Sequence, residues 1–453
     1  MLKALMSIYG AMAFMLPLSL VLAVVIRTGN NFKTRRELKH LRKIGVSTSN
    51  MADQYDPQYD APEGVEIDTP IRIKALYIHP IKSCGAIEVN RALLTKTGFM
   101  YDRCFAIATE GPKKGDEAGL EWRFISQRTK PQMSQIQTEL WLPHADSNPH
   151  DPLVQAGGCV VLTIQDPDPP TCLDRLDTLL HTWSPSAPPQ LSFIIPLQPT
   201  PAQIHALQIH PETFAIHARD ASGLDLSPLP SVAAALPKLK RFLRLPPQQP
   251  LKLLRCTPAD LTRTNKNLAP LAHIGSPAVH GYTDQQPVNI NSLSSVHAVS
   301  ALLPGENQPL DALRFRANVW ITGAPAYAEE AWKRCAIAAP KEGKKRVSAT
   351  LSVVCRTARC TMPNVNLATG TFDAEAPAPG RTKGRPQPSA TLVQHRTVES
   401  GNGAALGYLG MHCVPEDGSL RGAEPDGLCV EVGDEVEVLE RGVHLFGSTG
   451  EEY

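Results

Sequence analysis

Apolar and polar residues alternate along "IRIKALYIHPIKS" (71–83) and the pattern stops at Pro80, which predicts a strand running into a turn. "CFAIAT" (104–109), "GCVVLTI" (158–164), "LSFIIPL" (191–197) and "FAIHA" (214–218) read as further strands. Pro-, Asp- and Ser-rich loops such as "PHADSNPHDP" (143–152) join them. "SVAAALPKLKRFLRL" (231–245) has apolar residues near a helical period. Its Lys238, Lys240, Arg241 and Arg244 read as a solvated face.

Later strands are expected over 251–256, 318–323 and 348–355, and over 428–441, where a Gly-Asp turn suggests the closing hairpin of a small barrel. "SSVHAVSALL" (294–303) and "AYAEEAWKRC" (326–335) are candidate short helices. Residues 373–390 form a Pro/Gly-rich loop, expected to be mobile. The sum is a β-rich α+β chain without a 20-to-50-residue repeat.

The first 45 residues break this pattern. "ALMSIYGAMAFMLPLSLVLAVVI" (4–26) holds no charged residue and is long enough to cross a bilayer as a helix. Arg27, Lys33, Arg35, Arg36, Lys39, Arg42 and Lys43 follow it, against one acid, Glu37. The expectation is an N-terminal membrane anchor (1–45) with the rest facing the cytosol, on the mitochondrial outer membrane or the endoplasmic reticulum. Residues 46–70 then read as a linker, 71–250 as an N-terminal barrel domain and 251–445 as a second domain.

Composition adds little that is decisive. Net charge is +1, so no global field argues for nucleic acid. Ten cysteines in 453 residues is not a disulfide scaffold, and no paired CxxC zinc spacing is present. There is no GxGxxG nucleotide fingerprint and no CxxxxCxxC iron–sulfur cluster.

The chemistry concentrates in short stretches. "HPIKSCG" (79–85) places Lys82 and Ser83 in a turn, "YDRCF" (101–105) places Arg103 at a strand start, and "RFRANVWITG" (314–323) does the same for Arg316 and Asn318. Cations and neutral donors at strand–loop junctions suit a phosphate. Alone, a Lys-Ser turn is more often a solvated turn than a phosphate site, and the Asp102-Arg103 pair more often a structural ion pair. "RTARC" (356–360) sets Cys360 beside Arg359, and a guanidinium favours the thiolate. Three fates stay open on the residues alone: nucleophile, metal ligand or inert buried thiol.

In this order the stretches resemble the MOSC family, the molybdenum-cofactor sulfurase C-terminal domains. "IHPIKSCGAIEVNRALLTKTGFMYDRCFAI" is similar to its N-terminal β-barrel segment, and "RFRANVWITG", "AYAEEAWKRCAI" and "ARCTMPNVNLATG" to its cofactor-binding core. With the anchor added, the likeness is to the family's amidoxime-reducing mitochondrial branch. The resemblance covers about 71–130 and 250–445, and implies a MOSC β-barrel core with an associated N-terminal barrel. It implies molybdenum cofactor (molybdopterin) ligated by Cys360. Lys82, Ser83, Arg103, Ser292, Arg316, Asn318 and Arg359 would fall at the cofactor. Asn366 stands where relatives often carry Asp. The implied activity is reduction of N-hydroxylated compounds, amidoximes and hydroxylamines, with electrons from cytochrome b5 and its NADH-dependent reductase. The alternative is a cofactor- or sulfur-carrier module. The sulfurases of this family carry an upstream pyridoxal-phosphate domain, for which no segment of this chain is expected to serve.

Overall fold

The computed structural model describes residues 15, 18–113, 119–184, 186–340, 347–377, 380–399, 406–423 and 427–445. The chain divides into two compact units that interleave in sequence. One takes in residues 1–44, 136–209 and 227–249, the other 45–135, 210–226 and 250–453. This division does not coincide with a sequential split at residue 250.

The larger unit is built on a closed seven-stranded barrel. Around it run Val319–Thr322, Val288–Ser292, Gly407–Pro415, Ala349–Arg359, Trp332–Ala338, Glu435–Arg441 and Arg72–Ile78, which returns to Val319–Thr322. Only the Val288–Ser292 and Val319–Thr322 pair is parallel. Period-two burial explains these strands: in Arg72–Ile78 the first residues alternate, and the last four are all buried. Trp320 and Leu409, both wholly buried, pack with Tyr77, Leu293 and Phe315. Cutting Trp320 to Ala would remove contacts worth about 3–5 kcal/mol.

A second closed barrel lies in the same unit. Its five strands are Phe105–Pro112, Leu120–Phe124, Pro211–Ile216, Arg219–Asp225 and Leu251–Arg255. Ala106, Phe214, Leu254 and Tyr282 fill it, with Phe214 edge-on to Tyr282 at 5.2 Å.

The smaller unit carries a four-stranded antiparallel sheet of Leu41–Ile44, Gln137–Pro143, Cys159–Gln165 and Gln190–Pro196. Helix Cys172–Thr182 starts at a capping box between Thr171 and Asp174. Helix Pro230–Phe242 opens on a proline, and Val232, Ala235 and Leu239 form its buried stripe. Its cations are not simply solvated: Lys238 pairs with Asp166, and Arg241 with Asp168.

Several expectations are corrected. Among the described residues no helix is long and apolar enough to cross a membrane. The expected anchor, and the cytosol-facing mitochondrial or reticular placement built on it, is therefore not supported. Most of 4–26 lies outside the described residues, but its basic flank folds into the smaller unit. Asn30–Glu37 is a helix whose Asn31 donates to Asp177, and Leu41–Ile44 is an edge strand against Gln137–Pro143. Val25 is buried as well. The 428–441 stretch is not one hairpin: Leu428–Glu431 pairs with Arg91–Thr95, and Glu435–Arg441 with Trp332–Ala338. Gly433 takes φ +91° and turns the chain between the two sheets. "AYAEEAWKRC" is a short 3-10 turn, Ala328–Ala331, followed by strand Trp332–Ala338.

Candidate functional site

Two turns of the larger unit are stitched together by backbone. The Arg103 N–H donates to the His79 carbonyl at 2.8 Å, and the Lys82 N–H to that of Phe105 at 2.8 Å. The Asp102 carboxylate accepts from the His79 N–H at 2.8 Å and pairs with Arg103. Ser83 and Arg103 in these turns, and Arg316 at the end of the short 3-10 turn Ala312–Phe315, take left-handed backbone, at φ 67°, 50° and 54°. Such geometry costs on the order of 1 kcal/mol per non-glycine residue and collects at ligand sites.

The three residues open onto one cleft of about 380 Å³, lined also by Lys82, Asn318, Arg359 and Cys360. The barrel thus brings together seven of the eight residues expected at the cofactor, from stretches more than 200 positions apart. Ser292 is the exception. It is wholly buried, and its hydroxyl shares a 2.7 Å hydrogen bond with that of Ser294, away from the cleft lining. It belongs to the start of helix Leu293–Ser300, where serine is an ordinary choice.

Electrostatics set the character of the cleft. Lys82, Arg103, Arg128, Arg314, Arg316 and Arg359 line it, with Asp284 as the acid among the lining residues. Burial, reinforced by Arg103, lowers the Arg316 pKa to about 10. Its Nη1 donates to the Cys84 carbonyl at 2.7 Å, while Nη2 is buried without a partner. The Ser83 hydroxyl is likewise buried and unpartnered. Burial also pulls Arg359 down to about 9. Arg359 donates to the carbonyls of Leu409 at 2.8 Å and Phe315 at 2.9 Å, and to the side chains of Asn289 and Asn291. Its ring of neutral acceptors fixes the strand end that carries Cys360.

Cys360 stands just past strand Ala349–Arg359 and is exposed. Its sulfur accepts from the Met362 N–H at 3.5 Å. Cys355 lies inside the same strand, buried, and burial pushes its thiol well up. The two thiols therefore differ in reactivity although only five residues separate them.

Lys82 is more engaged than the sequence suggests. It donates to the Tyr282 carbonyl at 2.9 Å, pairs with Asp284 and lies 5.1 Å from the Phe124 ring centre. Burial lowers its pKa, against the pull of Asp284. Asp284 in turn accepts from His217 at 2.9 Å. Its surroundings alone would raise its pKa, but Lys82 and His217 hold the carboxyl well below the ordinary range. His412 is held neutral, its pKa lowered to about 3 by burial and then by Arg359.

Arg128, His217, Asp284, Arg314 and His412 all line the cleft and went unnoticed in the sequence. Only Arg314 carried a signal, as the first arginine of "RFR". Asn366 does not line the cleft; its amide donates to Asp373 at 3.4 Å, and Asp373 pairs with Arg314. The loop expected to be mobile is tied down where described: the Glu375 N–H donates to the Arg385 carbonyl at 3.0 Å, and the side chains pair.

The residues suit an anionic group that also carries a thiophilic metal. Unpartnered donors at Ser83 and Arg316 ask for anionic acceptors, and Cys360 supplies one soft ligand. Among the described residues no group of three or more His, Cys, Asp or Glu could hold a bare metal ion, so other ligands would have to arrive with the bound group.

Two family models match the chain: the MOSC N-terminal beta barrel domain over residues 70–168 and the MOSC domain over residues 277–437. Comparison with curated proteins finds no match.

Proposed function

The chain belongs to the MOSC-domain family, whose domains are associated with molybdenum-cofactor binding, and from that premise we propose that it is a molybdenum-cofactor-dependent reductase of N-hydroxylated compounds. The observation that carries this reading is the meeting of unpartnered donors, Ser83 Oγ and Arg316 Nη2, with an exposed thiol, Cys360, in one cationic cleft.

In this reading Ser83, Arg103 and Arg316 hold the cofactor phosphate, and Cys360 is the protein's sulfur ligand to molybdenum. The bound cofactor supplies the two-electron chemistry that removes oxygen from an amidoxime or hydroxylamine. The protein supplies position and electrostatics. Arg359, immobilised by four acceptors, fixes the strand end that presents its neighbour Cys360. Asn318 accepts from Arg103 at 3.4 Å and donates to the Tyr77 carbonyl, so it holds that guanidinium to the barrel. Phe315, Met362 and Pro363 give the cleft an apolar stretch of wall beside Cys360. Electrons come from outside the chain, from cytochrome b5 and its NADH-dependent reductase.

The test is to produce the full chain in a host that makes the cofactor, measure molybdenum and pterin, and add benzamidoxime with reduced cytochrome b5. Bound cofactor with turnover supports the reading. Cofactor without turnover points to a carrier module, and absence of both metal and pterin removes either.

A further inference from the structure

Reductive removal of a hydroxyl from nitrogen consumes protons as well as electrons. For an amidoxime the balance is R–C(NH₂)=N–OH + 2e⁻ + 2H⁺ → R–C(NH₂)=NH + H₂O. The N–O bond breaks, N–H and O–H bonds form, and the electrons come from a one-electron haem donor. Something must bring protons into the cleft, and its lining offers few candidates. The arginines Arg103, Arg128, Arg314, Arg316 and Arg359 keep their protons, and the Lys82 ammonium is taken up by the Tyr282 carbonyl and Asp284. Asp284 stays ionised, paired with Lys82 and His217, and His412 stays neutral. Cys360 is committed as a ligand in the reading above. His217 remains.

Its placement is specific. His217 occupies the two-residue turn between Pro211–Ile216 and Arg219–Asp225, in left-handed backbone at φ 58°, with a third of its side chain exposed. The ring sits edge-on to Phe124 at 4.8 Å. Two charged groups grip its nitrogens. Arg128 Nη2 lies 2.8 Å from Nδ1, and Asp284 Oδ1 lies 2.9 Å from Nε2. A guanidinium only donates, so Nδ1 must accept, and the ring proton sits on Nε2, donated to Asp284. Asp284 fixes the ring orientation, as the carboxylate of an Asp–His pair does. Arg128 covers Nδ1 from the other side with its hydrogen bond. Nδ1 is thus the exchanging nitrogen: a proton taken there from solvent displaces the Arg128 hydrogen bond and is held by an imidazole fixed at the cleft wall.

We propose that His217, oriented by Asp284 and gated by Arg128, supplies protons through Nδ1 to the oxygen leaving the substrate. The proposal rests on the reductase reading. It adds a hairpin turn of the five-stranded barrel to a site drawn from strand ends and loops of both barrels. Protonation at the departing oxygen lets it leave as water, and the exposed edge of the ring returns the proton from solvent.

The experiment uses the full chain loaded with cofactor, comparing wild type, His217→Gln, His217→Ala and Arg128→Met. Molybdenum and pterin content is measured for each, with kcat and KM for benzamidoxime across pH. Expected are unchanged occupancy, a fall in kcat on the order of a hundredfold in His217→Gln with KM little altered, and partial recovery of His217→Ala by added imidazole. In Arg128→Met the pH profile of kcat should differ from wild type, because the hydrogen bond held at Nδ1 has gone. Independently of turnover, the histidine nitrogen resonances missing from His217→Gln should show the ring proton on Nε2 and none on Nδ1. Full activity in His217→Gln, loss without rescue, lost occupancy or a His217 ring proton found on Nδ1 alone would each overturn the assignment. A wild type that binds cofactor but turns over nothing would instead remove the reductase reading, and this proposal with it.

Discussion

Replacing Arg316 by methionine separates what the cleft needs to bind from what the fold needs to stand. The guanidinium is set in left-handed backbone, one nitrogen bonded to the Cys84 carbonyl and the other unpartnered. Burial and the neighbouring Arg103 lower its pKa from the ordinary arginine value to about 10. At about 1.4 kcal/mol per tenfold change, that is on the order of 3 kcal/mol of strain on the cation. Screening through the open side of the cleft reduces it to ~1–2 kcal/mol. Against this, the bond to Cys84 contributes about 1–2 kcal/mol. The ligand-free Arg316→Met chain should therefore melt at the wild-type temperature or up to ~4 °C above it. Cofactor occupancy should fall at least tenfold, about 1.4 kcal/mol, because a charge-assisted contact to an anion is gone. The sign with pH is fixed: a cation whose folded pKa is depressed costs stability fully below about pH 10, and that cost fades only above it. Melting differences should thus be flat between neutral and mildly acidic pH. Differential scanning calorimetry of the ligand-free chain, with metal and pterin analysis of matured protein, reads both effects. A variant that melts several degrees lower yet keeps full occupancy would refute the reasoning, since Arg316 would then be a structural strut.

Cys360→Ala should remove bound molybdenum and turnover while shifting stability by no more than about 0.5 kcal/mol, because the side chain is exposed and makes one long sulfur contact; metal analysis beside a melting curve checks both. Asp102→Asn should cost on the order of 3 kcal/mol at neutral pH, leaving Arg103 without its buried partner. Although burial alone would raise it, Arg103 and His79 hold the Asp102 pKa well below the ordinary carboxylate value. Its stabilisation is present above about pH 4 and lost as pH falls through the folded pKa, so wild-type and variant urea midpoints should converge below about pH 4. Gly410→Ala should destabilise the barrel by about 3 kcal/mol or more: Gly410 has φ +75°, and an added Cβ would lie 1.4 Å from Asn291 Oδ1, an acceptor of Arg359. Urea unfolding of that variant matching wild type would show that the strand can shift at no cost.

Much of the barrel was legible because period-two burial is a local signal. Arg72–Ile78 and Leu251–Arg255 lie within a residue or two of the alternating runs that announced them. The apolar run at 4–26 misled for the same reason: hydropathy is local, whereas the docking of Asn31 on Asp177 and the pairing of Leu41–Ile44 with Gln137–Pro143 are not. The 428–441 stretch failed likewise, since a Gly-Asp turn does not say whether its two arms pair with each other. In the site, Lys82, Ser83, Arg103, Arg316, Arg359 and Cys360 were legible because each sits in a dense short stretch. His217 and Arg128 were not, because nothing around them looks unusual until the turn after Ile216 is folded against Phe124.

The placement of Cys360 follows from one physical constraint. A barrel strand ordinarily hides alternate side chains, and Cys355 inside Ala349–Arg359 is hidden in that way. A thiol meant to meet a ligand must stand where pairing stops, and pairing stops at Arg359, opposite Gly407. An unpaired strand end would fray, so something must hold it. Arg359 does so with four hydrogen bonds to neighbouring carbonyl and amide oxygens, its cation desolvated and without a carboxylate partner. Ser83, Arg103 and Arg316 show the same trade: left-handed backbone, with unmet polarity at Ser83 and Arg316. An anion bound between them would relieve the repulsion among Arg103, Arg316 and Arg359 and satisfy the open donors together. Its binding should therefore raise stability by more than the same anion would at an ordinary basic surface.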